Sequence, residues 1–157
     1  MAKIEIETLI NAPINRCFDL ARSIDLHQIS TSKTNEYVIA GRKNGLIELN
    51  ETVTWRAKHF GIWQNLTAKI TKMNSPYYFC DEMVKGAFKN FKHEHYFSIV
   101  HNQTLMKDVF IFQLPFGIIG SIFNQLILTD YMRQFLIERN QIVKQVAESN
   151  DWKKFIP

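Results

Sequence analysis

The chain has little that would tie it down covalently or carry it through a membrane. Only two cysteines, Cys17 and Cys80, occur in 157 residues. They make neither a CxxC pair nor the spacing of a secreted scaffold, which argues against a disulfide framework. No segment repeats, and no low-complexity linker divides the chain, so residues 1–157 are read as one domain. The longest apolar stretch, "FGIIGSIFNQLIL", falls short of the roughly twenty residues of a membrane span and contains Asn124 and Gln125. The start, "MAKIEIETLI", alternates charged and apolar residues and lacks the apolar core of a signal peptide. There is also no run of one charge: the formal +4 is spread over every segment, unlike the basic stripe that nucleic-acid binding needs. GxSxG, HExxH, GxGxxG and P-loop patterns are missing, and Cys17 beside Arg16 reads as a small buried hydrophobe. The expectation is a soluble protein in a reducing, cytoplasmic setting, with no nucleic-acid partner, no cofactor and no covalent catalysis.

What is abundant is aromatic and alternating. Twelve Phe and three Trp suit a bulky core or an aromatic-lined pocket. "KIEIETLI" reads as a strand with Ile4, Ile6, Thr8 and Ile10 on one face, and "NAPINRCFDLARSIDLHQIS" as two short helices. Pro13 fits a first helical position, and Ser23 or Asp25 fits the cap of the second piece. From Lys33 to Leu114 the alternation predicts antiparallel strands joined by short turns. With a turn at Phe60-Gly61, Trp55 faces Leu66 and His59 faces Ile62. An "NSP" turn then places Leu66 near Met83, Ala68 near Asp81 and Ile70 near Phe79. The next connection pairs Asp81 with His93 and Phe79 with His95. An "HNQ" turn pairs His93 with Phe112, His95 with Phe110 and Phe97 with Asp108. One face is then apolar and the other carries Thr, Lys, Arg and Glu, as in a sheet with one solvated side.

A single long helix is predicted over residues 118–148, with Leu128, Met132, Phe135, Leu136, Arg139, Ile142, Val143 and Val146 at helical spacing. The element order, together with "FGIWQNLTAKIT", "FKHEHYFSIV" and "TLMKDVFIFQLPFG", resembles the START-like (SRPBCC, Bet v 1-like) superfamily. Within it, the chain is similar to the small bacterial proteins grouped with polyketide cyclases and dehydrases. The resemblance implies an α+β helix-grip fold, in which a seven-stranded antiparallel sheet curves around a long C-terminal helix and encloses an apolar cavity. It also implies binding of a hydrophobic small molecule such as a lipid or polyketide and, for some members, a cyclase or dehydratase reaction.

The strand "FKHEHYFSIV" places His93 and His95 on its apolar face, with Asp81 beside His93 and Asp108 as a diagonal neighbour. Three readings follow: a hydrogen-bonded polar cluster in the cavity wall, a catalytic His–Asp pair for dehydration or cyclisation, or a metal site. The last is the weakest, because HxH supplies two nitrogens and an Asp a third ligand, with no other metal-ligand spacing in the chain. Candidate ligand-lining residues are Trp55, Leu66, Phe79, Met83, Phe97, Phe110, Phe112 and Met132. Ile118, Ile119, Ile122, Phe123, Leu126 and Ile127 leave the helix start apolar on more than one side. That stretch is expected to be buried at the closed end, or to serve as a gate, a homodimer surface or a transient membrane contact.

Overall fold

The alternation from residue 37 onward leaves the strands one packing solution, which is to curve together and bury their common apolar face. A computed structural model describes residues 1–115 and 121–157, apart from the side chains of 121–124. Strand β1 (Ala2–Ile10) leads into helices α1 (Ile14–Ala21) and α2 (Ile24–Ser30). Six strands follow: β2 (Tyr37–Gly41), β3 (Thr52–His59), β4 (Ile62–Asn74), β5 (Tyr78–Lys85), β6 (Asn90–Val100) and β7 (Gln103–Gln113). Helix α3 (Ser121–Glu148) ends the fold with a short 3-10 turn at Asp151–Lys154. The strands form one antiparallel sheet in the order β1-β7-β6-β5-β4-β3-β2, and α3 packs against β1, α1 and α2.

Local chemistry sets the boundaries. In β1, Ala2, Ile4, Thr8 and Ile10 are buried while Lys3, Glu5, Glu7 and Leu9 face out. The Ser23 side chain accepts the backbone N–H of Leu26 and caps α2. Pro13 sits one position earlier than expected, as the N-cap of α1. Phe60 and Gly61, both at positive φ, make the two-residue turn that pairs Trp55 with Leu66 and His59 with Ile62.

Two registers differ from the expected ones, each by two residues. Ala68 pairs with Met83 and Ile70 with Asp81, across bulges in β4. The β6–β7 turn holds only His101 and Asn102, both at positive φ, so pairing continues to Val100 and Gln103. His93 therefore faces Phe110, and His95 faces Asp108 directly rather than diagonally. Because side chains alternate with period two, a two-residue slip keeps a residue on its expected face but changes its neighbour; past the second bulge of β4 the register moves by one more, and Met73 faces Phe79 and packs on the core. The pairings of Asp81 with His93 and of Phe79 with His95 are as read from the sequence.

Candidate functional site

The curved sheet and α3 enclose a cavity of about 480 Å³. Trp55, Leu66, Phe79 and Phe110 line it from the sheet, and Met132 and Phe135 line it from α3. Met83, Phe97 and Phe112, expected on this wall, are not among its lining. Phe97 packs with Phe18 and Phe79 at the opposite end, and Phe112 lies fully buried against Phe88 and Phe110. Met83 packs, partly buried, beside the cluster that contains Phe110. In each case the side chain is on the predicted face, but its register position carries it past the hollow.

One wall is polar. Asp81, His93 and His95 line the cavity, and Asp108 sits fully buried behind them. His93 Nε2 is 3.0 Å from Asp108 Oδ1, and His95 Nε2 is 3.0 Å from Asp81 Oδ1. His95 Nδ1 also lies 2.8 Å from Asp108 Oδ1, but it is not aligned as a hydrogen bond and is a charge contact. His93 Nδ1 stands 3.9 Å from Asp81 Oδ1, beyond hydrogen-bond reach. The two imidazoles tilt against each other with centroids 3.9 Å apart, His95 stacking on Phe79 and His93 meeting Phe110 edge-on.

Helix α3 completes the cluster from the other side. Asn140 Nδ2 donates to Asp108 Oδ2 at 2.6 Å and approaches Thr8 Oγ1 of β1. Arg139 donates to the Ala21 carbonyl and to Asn140 Oδ1, with its guanidinium 3.8 Å from Asp108. Sequence reasoning gave neither residue a role. The available signal was Arg139 itself, an arginine within an apolar stripe, which must find a partner when buried.

The cluster's charges are strongly coupled. Burial would raise the Asp108 carboxyl, but the hydrogen bond from His93 and the close contact with His95 outweigh it and hold Asp108 well below the usual carboxylate range. Asp81 is also lowered: the hydrogen bond from His95 and the nearby charges of His93, His95 and Arg139 exceed the effect of burial. The two histidines diverge. Burial and the neighbouring His95 lower His93, whereas the carboxylates on either side raise His95 despite its burial. The two rings of one cluster are thus pushed in opposite directions, His95 toward the charged form and His93 toward the neutral one.

A second polar set sits toward the other end of the cavity. His59 Nδ1 lies 2.8 Å from the Tyr131 hydroxyl, with Phe60 packed on the Tyr131 ring. His27 stacks on Trp55 and meets Glu36 at 2.6 Å. Ile62, Leu126 and Ile127 are exposed, and Ile127 also reaches the cavity lining. The expected roles of Ile118, Ile119, Ile122 and Phe123 fall outside the described residues and side chains. No helix among the described residues is long and apolar enough to cross a membrane. On the outer face Tyr78 pairs with Tyr96, ring centroids 4.9 Å apart, and exposed Trp63 lies edge-on to Tyr37 with Arg56 over its ring.

No family model matches the chain, and no curated protein matches it significantly. Solved structures do match in shape. A protein of Thermus thermophilus aligns with TM-score 0.72 at 15% identity, over 94% of this chain and 100% of that one. A Chromobacterium violaceum protein aligns with TM-score 0.71 at 6% identity, over 94% and 98%. The major latex-like protein 151 of Panax ginseng aligns with TM-score 0.68 at 13% identity, again over 94% and 98%. At these identities the likeness concerns the fold. The chain has the Bet v 1-like helix-grip fold, with its seven-stranded antiparallel sheet and long C-terminal helix.

Proposed function

We propose that the protein binds a hydrophobic or amphipathic small molecule between the sheet and α3. The observation that carries this reading is the cavity itself, whose volume of about 480 Å³ lies within the roughly 300–1,000 Å³ of small-molecule sites. Its wall is largely aromatic and aliphatic, and its polar lining includes the Asp81–His93–His95 patch with Arg139 and a second set with His27, Glu36, His59, Gln64 and Tyr131. That distribution suits a ligand with an apolar body and an oxygen or nitrogen function at one end. The shared fold with the ginseng major latex-like protein is consistent with the same reading.

A second reading has a specific observation behind it. His93 is lowered by burial, faces the cavity and is backed by Asp108, the arrangement of a neutral imidazole held in one tautomer. In this reading the protein is a cyclase or dehydratase that moves a proton through His93 without a covalent intermediate.

Native mass spectrometry of the purified protein, followed by organic extraction, tests the binding reading. A defined apolar molecule released in stoichiometric amount is the expected result. An empty protein that also fails to take up apolar fluorescent probes would remove the cavity as a binding site. Any released ligand then separates the two readings: His93→Phe changes only its affinity in a binder but abolishes its turnover in an enzyme.

A further inference from the structure

The polar wall has a feature that ligand binding does not require. Each imidazole turns one nitrogen toward Asp108, His93 through Nε2 at 3.0 Å and His95 through Nδ1 at 2.8 Å. The other nitrogen of each ring, His93 Nδ1 and His95 Nε2, faces a single oxygen, Asp81 Oδ1, at 3.9 and 3.0 Å. An ionised carboxylate only accepts hydrogen bonds. Asp108 thus holds the proton of His93 on Nε2 and leaves Nδ1 as a lone pair aimed at a second carboxylate across a gap. Asp81 Oδ1 thus has His95 Nε2 at hydrogen-bond distance and the His93 lone pair 3.9 Å away, so a cation that replaced the His95 proton would have all three groups around it.

We propose that Asp81, His93 and His95 form a binding site for one first-row transition-metal dication of the zinc, cobalt or iron(II) class. One ligand atom from each of the three residues lies within 4.8 Å of the others. Bonds of about 2.0–2.2 Å to nitrogen and carboxylate oxygen place ligand atoms roughly 3–3.5 Å apart. His95 and Asp81 are already at 3.0 Å, and His93 has less than about 1 Å to close on Asp81. Two imidazoles and a carboxylate are a donor set for these ions rather than for calcium or magnesium. Asp108 supplies to His93 the outer carboxylate that orients a metal-bound histidine, and Asn140 fixes Asp108 in turn. All three ligands come from one wall and line the cavity, so the remaining coordination positions open toward whatever occupies it. Those positions would take water or an oxygen of an apolar ligand. The inference goes beyond small-molecule binding, and each can fail without the other.

Untagged protein, stripped with a chelator and titrated with cobalt(II), tests it. The expected result is one equivalent of bound cobalt per chain, with d–d absorption bands of low coordination number. Asp81→Asn and His93→Gln should each weaken uptake by more than about 100-fold, and Asp108→Asn by about 10–100-fold. His101→Asn, in the exposed β6–β7 turn, should leave it unchanged. Circular dichroism establishes that each variant is folded. Should a variant not fold, the wild-type cobalt protein decides through its NMR spectrum, which must show paramagnetically shifted resonances from two imidazoles. Absence of saturable uptake, fewer than two shifted imidazoles, or full uptake by folded Asp81→Asn and His93→Gln would overturn the site. Apolar-probe uptake measured on the same stripped protein reports on the cavity independently of the metal.

Discussion

Two groups of apolar side chains occupy the concave face of one sheet, and the helices treat them differently. At the first, α1 drives Phe18 into the sheet, where it meets Phe79 and Phe97 edge-on at 5.6 and 5.5 Å. Met106, Leu20, Leu26 and Val143 close around it with almost no exposed surface. At the second, Phe91, Phe110 and Leu136 are buried, but Leu66, Met132 and Phe135 beside them remain partly open to the cavity. The residue types are the same at both ends. The difference lies in the covering layer: α1 fills the first end around Phe18, whereas the second is left hollow between the sheet, α3 and the residues joining α1 to α2. The Asp–His belt lies between them, with His95 stacked on Phe79 of the filled end and His93 against Phe110 of the hollow one.

The largest effect should come from emptying the filled end. Phe18→Ala removes a ring that is 1% exposed and leaves a void among rigid neighbours, a change that costs about 3–5 kcal/mol. Urea denaturation measures it. A loss below about 1 kcal/mol would mean that the first cluster can collapse onto the void and that the two ends differ less than their packing suggests.

Asp108→Asn should rank next, at about 3 kcal/mol, because it removes the buried carboxylate shared by His93, His95 and Arg139 and leaves Asp81 as the one acid against them. Its sign with pH follows from the lowered carboxyl. An aspartate held well below its unfolded value stabilises the fold above about pH 4, and the contribution is lost as pH falls through the folded value. The gap between wild type and variant should therefore narrow in acid. A gap that stays constant down to the acid transition would show that Asp108 acts through shape and not charge.

The same contrast explains what the sequence made legible. The fold was readable because period-two alternation and the helical stripe of α3 are carried by many residues at once, so an error at one turn leaves the faces intact. The site was readable only in part. Asp81, His93 and His95 come together as expected because β5 and β6 pair in the expected register. The position of Asp108 opposite His95 depended on whether the β6–β7 connection holds two residues or four, which is set by the positive φ at His101 and Asn102. Arg139, Asn140 and Tyr131 come from a helix with no register to the sheet, so no pairing rule could bring the first two to the belt or Tyr131 to His59. Which aromatics line the hollow and which fill the core, as with Phe79 against Phe97, depends on where α1 ends.

Filling the hollow end should cost far less than emptying the filled one. Met132→Trp projects a larger ring into the cavity from α3, and its stability should stay within about 1 kcal/mol of wild type because the space already exists. Uptake of an apolar fluorescent probe should fall at least about tenfold, equivalent to about 1.4 kcal/mol. Unchanged uptake would place the bound molecule away from α3.

The smallest effect should lie at His59, near the Tyr131 end of the same cavity. Burial lowers its pKa, so the folded protein holds the ring neutral while the unfolded chain protonates it near pH 6.5. A histidine shifted in this direction contributes stability above its unfolded value, and that contribution is lost as pH falls through the lower folded value. Between about pH 7.5 and 5.5, wild type should lose more stability than His59→Gln, by less than about 1 kcal/mol. Glutamine keeps a hydrogen-bonding partner for Tyr131 but does not titrate, so the difference in slope isolates the ring. Parallel slopes would mean that water reaches His59 as freely in the fold as outside it, and the cavity would then open to solvent along the Tyr131 side. A steeper wild-type slope would make His59 part of a dry wall.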